Sequence, residues 1–182
     1  GYITDNGNFY EYDPSTDQWT TKANCPVTDW SICSFVVDGK GYVKGNSALY
    51  EYKPSVDQWT IRSYFPGFAT GGSAAFSVNQ KGYIICGFGG SLSNVTSEIW
   101  EFNPANNSWL LKDDFPGTAR RFCTAFTIGN KAYFTLGTNG TNMNDFWEFN
   151  PALKGVGIEE SEMKVTTFPN PATTSIIFQF GE

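Results

Sequence analysis

The chain has 182 residues, and its 12 Lys+Arg against 18 Asp+Glu leave a formal charge of -6 and a pI near 4.6. That balance excludes the basic footprint of proteins that neutralise nucleic-acid phosphates or sit on anionic membranes. Histidine is absent, so Ser-His-Asp and Cys-His arrangements and His-ligated zinc or copper are excluded from these residues. Aromatics at 17% and 19 glycines, without long Ala/Leu/Glu/Lys runs at helical spacing, point to strands joined by tight turns, an all-β class. No apolar run nears the roughly 18 residues of a spanning helix, so no membrane span is expected. The opening GYITDNGNFYEY has neither a basic n-region nor an apolar h-region.

Taken from the N-terminus, the chain repeats. YEYDPSTDQWT begins at Tyr10, YEYKPSVDQWT at Tyr50, WEFNPANNSWL at Trp100 and WEFNPALKGVG at Trp147. Pro14, Pro54, Pro104 and Pro151 are 40, 50 and 47 residues apart. Trp19, Trp59 and Trp109 each follow the proline by five residues, and Pro26, Pro66 and Pro116 each follow the Trp by seven. A second block precedes each later phrase: ICSFVVDGKGYVKGN, SAAFSVNQKGYIICGFGG and CTAFTIGNKAYFTLGTNG, with Phe35, Phe76 and Phe126 seven residues ahead of Tyr42, Tyr83 and Tyr133. Alternation on either side of DGKG, NQKG or GNKA predicts a hairpin of two strands, A and B. The Y-E-Y segment and the segment around the Trp predict strands C and D, joined by an Asp/Asn-Pro turn.

These copies resemble kelch repeats, the four-stranded blades of a β-propeller of galactose oxidase/kelch-like type. The resemblance rests on the aromatic pair, the Asp/Asn-Pro turn, the downstream Trp and the doublet Gly89-Gly90. It departs from the pattern where Gly45-Asn46 and Gly137-Thr138 replace that doublet and where the fourth copy lacks its Trp and strand D. The organisation it implies is a propeller arc over residues 1–151: a partial blade 1–26, blades 27–66 and 67–116, and a partial blade 117–151. Propellers close with about 4 to 8 blades, so further sequence on the N-terminal side is expected. The repeated Tyr and Trp are read as packing between blades.

After Pro151 the pattern breaks. ALKGVGIEESEM reads as a linker over 152–162, and KVTTFPNPATTSIIFQF as the opening hairpin of a second β domain over 163–182. The tail resembles the start of the C-terminal sorting domain of type IX secretion cargo in Bacteroidota. Gly157, Ile158, Glu159 and Glu160 lead into the turn formed by Phe168, Pro169, Asn170, Pro171, Ala172 and Thr173. That resemblance implies a small β-sandwich-like domain that engages the secretion machinery, and hence a secreted or outer-membrane cell-surface location.

The D-to-A and B-to-C connections should emerge on one face of the ring. The B-to-C loops vary from KGNSA to GFGGSLSNVTS to GTNGTNMND, and variable loops on a rigid scaffold are where recognition lives. On this face the sequence places Asp29, Trp30, Phe68, Asn94, Arg120, Arg121 and Asn142 as candidate ligand-binding residues for a protein or glycan. The bland alternative pairs Arg120 and Arg121 with Asp113 and Asp114 at the rim. NGTNMND (139–145) offers close oxygen donors but a single carboxylate, so it reads as a polar loop and no metal or cofactor is assigned. Cys25 takes the place of Phe65 and Phe115 and reads as a small core residue. Cys33, Cys86 and Cys123 are placed in strands A and B of different blades and read as free thiols. The functional expectation is a binding module rather than an enzyme. The alternative is a fragment of a kelch-type sugar oxidase or sialic-acid mutarotase whose catalytic residues lie in blades outside these residues.

Overall fold

The structure, a computed structural model, describes residues 1–151 and 158–160. They form four antiparallel sheets. The first holds β1 (Tyr2–Asp5), β2 (Asn8–Asp13) and β3 (Gln18–Thr21); the second β4 (Cys33–Val37), β5 (Lys40–Lys44), β6 (Ala48–Lys53) and β7 (Gln58–Tyr64). The third holds β8 (Ala74–Val78), β9 (Lys81–Ile85), β10 (Ile99–Asn103) and β11 (Ser108–Leu111); the fourth β12 (Thr124–Ile128), β13 (Lys131–Thr135), β14 (Phe146–Phe149) and β15 (Ile158–Glu160). Each sheet runs in chain order as a meander, and the leading strands β4, β8 and β12 contact one another in succession. This is the blade arrangement expected of a propeller arc.

Turn chemistry explains the meanders. Asp38-Gly39 and Asn79-Gln80 sit at positive φ between strands A and B, as a two-residue hairpin turn with the twist of its strands requires. Between C and D, Asp17, Asp57 and Asn107 occupy the left-handed region at one repeated position, two residues before the Trp. Asp and Asn tolerate that region better than other side-chain-bearing residues. The turn is opened by Asp13, whose carboxylate accepts from the Ser15 amide at 2.9 Å, and by Asn103, which accepts from the Ala105 amide at 3.1 Å.

Blades are joined by aromatics, as the repeat implies. Phe102 of β10 lies 5.8 Å from the Tyr42 ring of the preceding blade, and Phe149 of β14 lies 4.9 Å from Tyr83. Trp59 and Trp109 donate their indole N–H backward, to the Ala23 carbonyl at 2.9 Å and the Ser63 hydroxyl at 2.8 Å. Gly82 is held to glycine by this packing, because a Cβ there would enter the Phe35 ring. Within each blade the strand-B Tyr donates to the strand-C Glu: Tyr2 to Glu11, Tyr42 to Glu51, Tyr83 to Glu101 and Tyr133 to Glu148. Burial above all, then the neighbouring carboxylate, pushes the Tyr42 phenol well above its ordinary range, so it stays a neutral donor.

The fourth blade differs from expectation. Ile158–Glu160, read from sequence as linker and as part of the approach to the sorting turn, pairs antiparallel with β14 as strand D, with Phe149 opposite Ile158. The pairing needs only backbone groups, so it survives the loss of the Trp that marks strand D in the other copies. Phe168 to Thr173 and the hairpin expected over 163–182 lie outside the described residues. All four cysteines are free; Cys25 and Cys86 are buried, and Cys86 and Cys123 lie just outside strands β9 and β12 rather than within them.

Candidate functional site

The D-to-A and B-to-C connections do share one face, and backbone hydrogen bonds tie them across blades. The Gly72 amide donates to the Ser31 hydroxyl at 2.6 Å, and the Gly72 carbonyl accepts from the Phe122 amide at 2.7 Å. The Gly87 amide donates to the Arg120 carbonyl at 2.8 Å. Gly72 has φ of +66°, and a Cβ there would press on the Phe88 ring, so the crossing requires glycine.

On this tied backbone three rings form a triangle. Trp30 and Phe88 are 6.0 Å apart, Trp30 and Phe122 6.1 Å, and Phe88 and Phe122 5.9 Å between centroids. Trp30 is 77% exposed and Phe122 partly so, whereas Phe88 is buried as the floor. Three different connections supply one ring each: Trp30 lies between β3 and β4, Phe88 between β9 and β10, and Phe122 between β11 and β12. The Arg121 guanidinium carbon stands 5.6 Å from the Phe122 centroid, and its Nε and Nη1 are buried without a hydrogen-bond partner. Buried donors of that kind are uncommon in folded proteins and cost free energy until paired.

The other residues singled out from sequence have different fates. Arg120 is a correction: it is 1% exposed and faces inward. Its guanidinium forms a bidentate pair with Asp145, with Nη2 2.6 Å from Oδ2 and Nη1 on Oδ1, and lies 5.0 Å from the Phe115 centroid. Neither Asp113 nor Asp114 is that partner. Hydrogen bonding to Arg120 leads the causes that hold the Asp145 carboxyl below its ordinary range, and the Trp147 indole adds a bond at 2.8 Å. The one carboxylate of the 139–145 loop is therefore already engaged. Asp29 accepts from the Asn46 amide and side chain, both at 2.9 Å, and so fastens a D-to-A loop to a B-to-C loop. The Asn94 side chain donates to the Gly89 carbonyl at 3.2 Å. Phe68 is partly exposed over Gly89, and Asn142 is exposed.

Of the residues that the structure brings together in this cluster, the sequence singles out Trp30 and Arg121 but not Phe88 and Phe122. Phe88 is embedded in GFGG, which reads as pure turn; a single large aromatic among glycines was the available signal. Phe122 follows Arg121 at a φ of +57°, a conformation that no residue pattern announces.

Comparison with known proteins supports the fold. No family model matches the chain, and no curated protein matches it by sequence. The solved structure of YjhT is similar to this chain with a TM-score of 0.76 at 15% identity, covering 88% of this chain and 63% of YjhT. At that identity the likeness shows the fold alone, a β-propeller-like arrangement of antiparallel blades. The chain spans 63% of the length of YjhT.

Proposed function

We propose that the chain is a ligand-binding module of a secreted or cell-surface propeller protein and does no chemistry with the residues it carries. The observation that supports this reading is the triangle of Trp30, Phe88 and Phe122 beside Arg121, on loops fixed to one another by backbone hydrogen bonds. An exposed indole over a buried ring offers a flat apolar surface that loses little freedom on binding, and a cation at its rim suits a sugar or peptide carrying oxygen acceptors. Against catalysis stand the absence of histidine and the engagement of Arg120 and Asp145 with each other. Export through a type IX route rests on the resemblance at Phe168 to Thr173.

The ligand is sought by glycan array and by pull-down with the 182-residue chain. Trp30→Ala is expected to weaken capture at least about tenfold, as loss of a central aromatic anchor does, without shifting the melting temperature. Capture that is unchanged in both Trp30→Ala and Arg121→Ala would remove the face from consideration. Export has its own test: deletion from Phe168 onward in the native host is expected to retain the protein inside the cell, and undiminished surface display refutes the sorting assignment.

A further inference from the structure

The third and fourth blades meet at a pair of thiols. Cys86 directly follows β9 and Cys123 directly precedes β12. Cys86 belongs to the buried cluster between these two blades, and Cys123 packs against that cluster. The Gly87 amide, bonded to the Arg120 carbonyl at 2.8 Å, holds the two connections together, and the thiols share a hydrogen bond. Cys25 and Cys33 pack in two other clusters, each without a second cysteine.

Repeat geometry aims the two side chains at one another. Cys86 stands three residues after the strand-B Tyr83, and its counterpart after Tyr133 is Leu136. Both occupy the left-handed region, with φ of +59° and +61°. Leu136, in the last described blade, is 49% exposed, whereas Cys86 beneath the fourth blade is 1% exposed. This position therefore faces the following blade. Cys123 stands three residues before the strand-A Phe126, and its counterpart Ile32, before Phe35, packs on the cluster between the first and second blades. That position faces the preceding blade. One interface earlier the same two repeat positions hold Gly45 and Ser73, so blade packing alone does not call for two sulfurs.

The hydrogen bond with Cys123, and then burial, push the Cys86 thiol far above its ordinary range, so the pair is inert until a reagent reaches it. Cys123, the more exposed of the two, is the point of entry. The buried Arg120 guanidinium interacts with both sulfurs and attracts the negative charge that a thiolate carries during exchange. We propose that Cys86 and Cys123 are a modification site at which a disulfide donor installs a bridge joining the third blade to the fourth. The Cys123 thiolate attacks the donor's S–S bond and releases one donor thiolate, giving a mixed disulfide. Cys86 then loses its proton, attacks the Cys123 sulfur and displaces the second donor thiolate. Two protein thiols are oxidised, one donor disulfide is reduced, and the two protons end on the released donor thiols. Phe88 lies two residues beyond Cys86, and Phe122 adjoins Cys123, so the bridge fixes the connections that carry two of the three rings. Its formation is independent of what those rings bind.

The test incubates the 182-residue chain with oxidised glutathione, alkylates the remaining thiols and maps the digest by mass spectrometry. A peptide pair joined through Cys86 and Cys123 is expected, with Cys25 and Cys33 alkylated. The oxidised chain is expected to melt about 5 °C or more above the reduced one, because the bridge closes a long loop of the unfolded chain. Cys123→Ser, a conservative change at a partly exposed position, is expected to remove the joined pair and cancel that difference in melting temperature. The proposal is overturned if both cysteines are alkylated after oxidation, if glutathione stays on Cys123, or if the bridge involves Cys25 or Cys33. It is also overturned if the melting difference persists in Cys123→Ser, which would place the stabilisation elsewhere.

Discussion

Replacing Arg120 with alanine is expected to lower the unfolding free energy by about 3–5 kcal/mol, the range for breaking a buried ion pair from one side. The arginine is fully buried, and burial by itself opposes its charge; Asp145 offsets that cost by hydrogen bonding and attraction. Removing the guanidinium leaves the Asp145 carboxylate with the Trp147 indole alone and strips a cation from the Phe115 and Phe134 faces. A double variant, Arg120→Met with Asp145→Leu, is expected to lose less than the sum of the singles, because neither leaves a charge behind. The pH dependence carries the sign. Asp145 has a lowered folded pKa, so its contribution is present above its ordinary value near 3.8 and is lost as pH falls through the folded value. The stability gap between wild type and Asp145→Asn should therefore be constant above about pH 5 and close at lower pH. Urea melts across pH measure it, and a gap that persists in acid refutes the assignment.

That pair also shows where sequence reading stops. Arg120 and Asp145 are 25 residues apart, on two connections of the same blade, and nothing in either segment announces the other; the sequence reading put Arg120 on the ligand face for its charge. The blades themselves were legible because their determinants are local and repeated. Proline fixes φ, Asp57 and its equivalents take the left-handed turn position, and a Phe-Tyr spacing of seven sets the hairpin register. Strand β15 was not legible for the opposite reason: its pairing uses backbone groups, and its segment contains no Trp, no proline offset and no long alternation. Of the candidate site, Trp30 and Arg121 were visible as exposed-type residues on variable connections. The rings that complete it were hidden because the ladder between blades, Ser31 to Gly72 to Phe122, is a tertiary event.

Phe102→Ala should be comparably severe, about 3–5 kcal/mol, for loss of a fully buried aromatic and the cavity it leaves. Its ring sits between Tyr42 of the blade before and Trp109 of its own blade, at 5.8 and 4.8 Å, so its loss acts on an interface rather than on one sheet. Stacked repeats are held by their own stability plus nearest-neighbour terms. Weakening the middle interface should therefore uncouple the first two blades from the last two, and the single unfolding transition should broaden or split in calorimetry. Tyr12 is the internal control. It holds the same repeat position in the first blade, but lies tilted against exposed Trp19 of its own blade at 4.9 Å and bonds Asp17 there. Tyr12→Ala is expected to cost no more than about 1 kcal/mol and to leave the transition sharp. Equal losses at the two sites would mean that aromatics stabilise blades individually. A loss confined to Phe102, with a split transition, places the cohesion of the arc between blades, where the period of the repeat puts it.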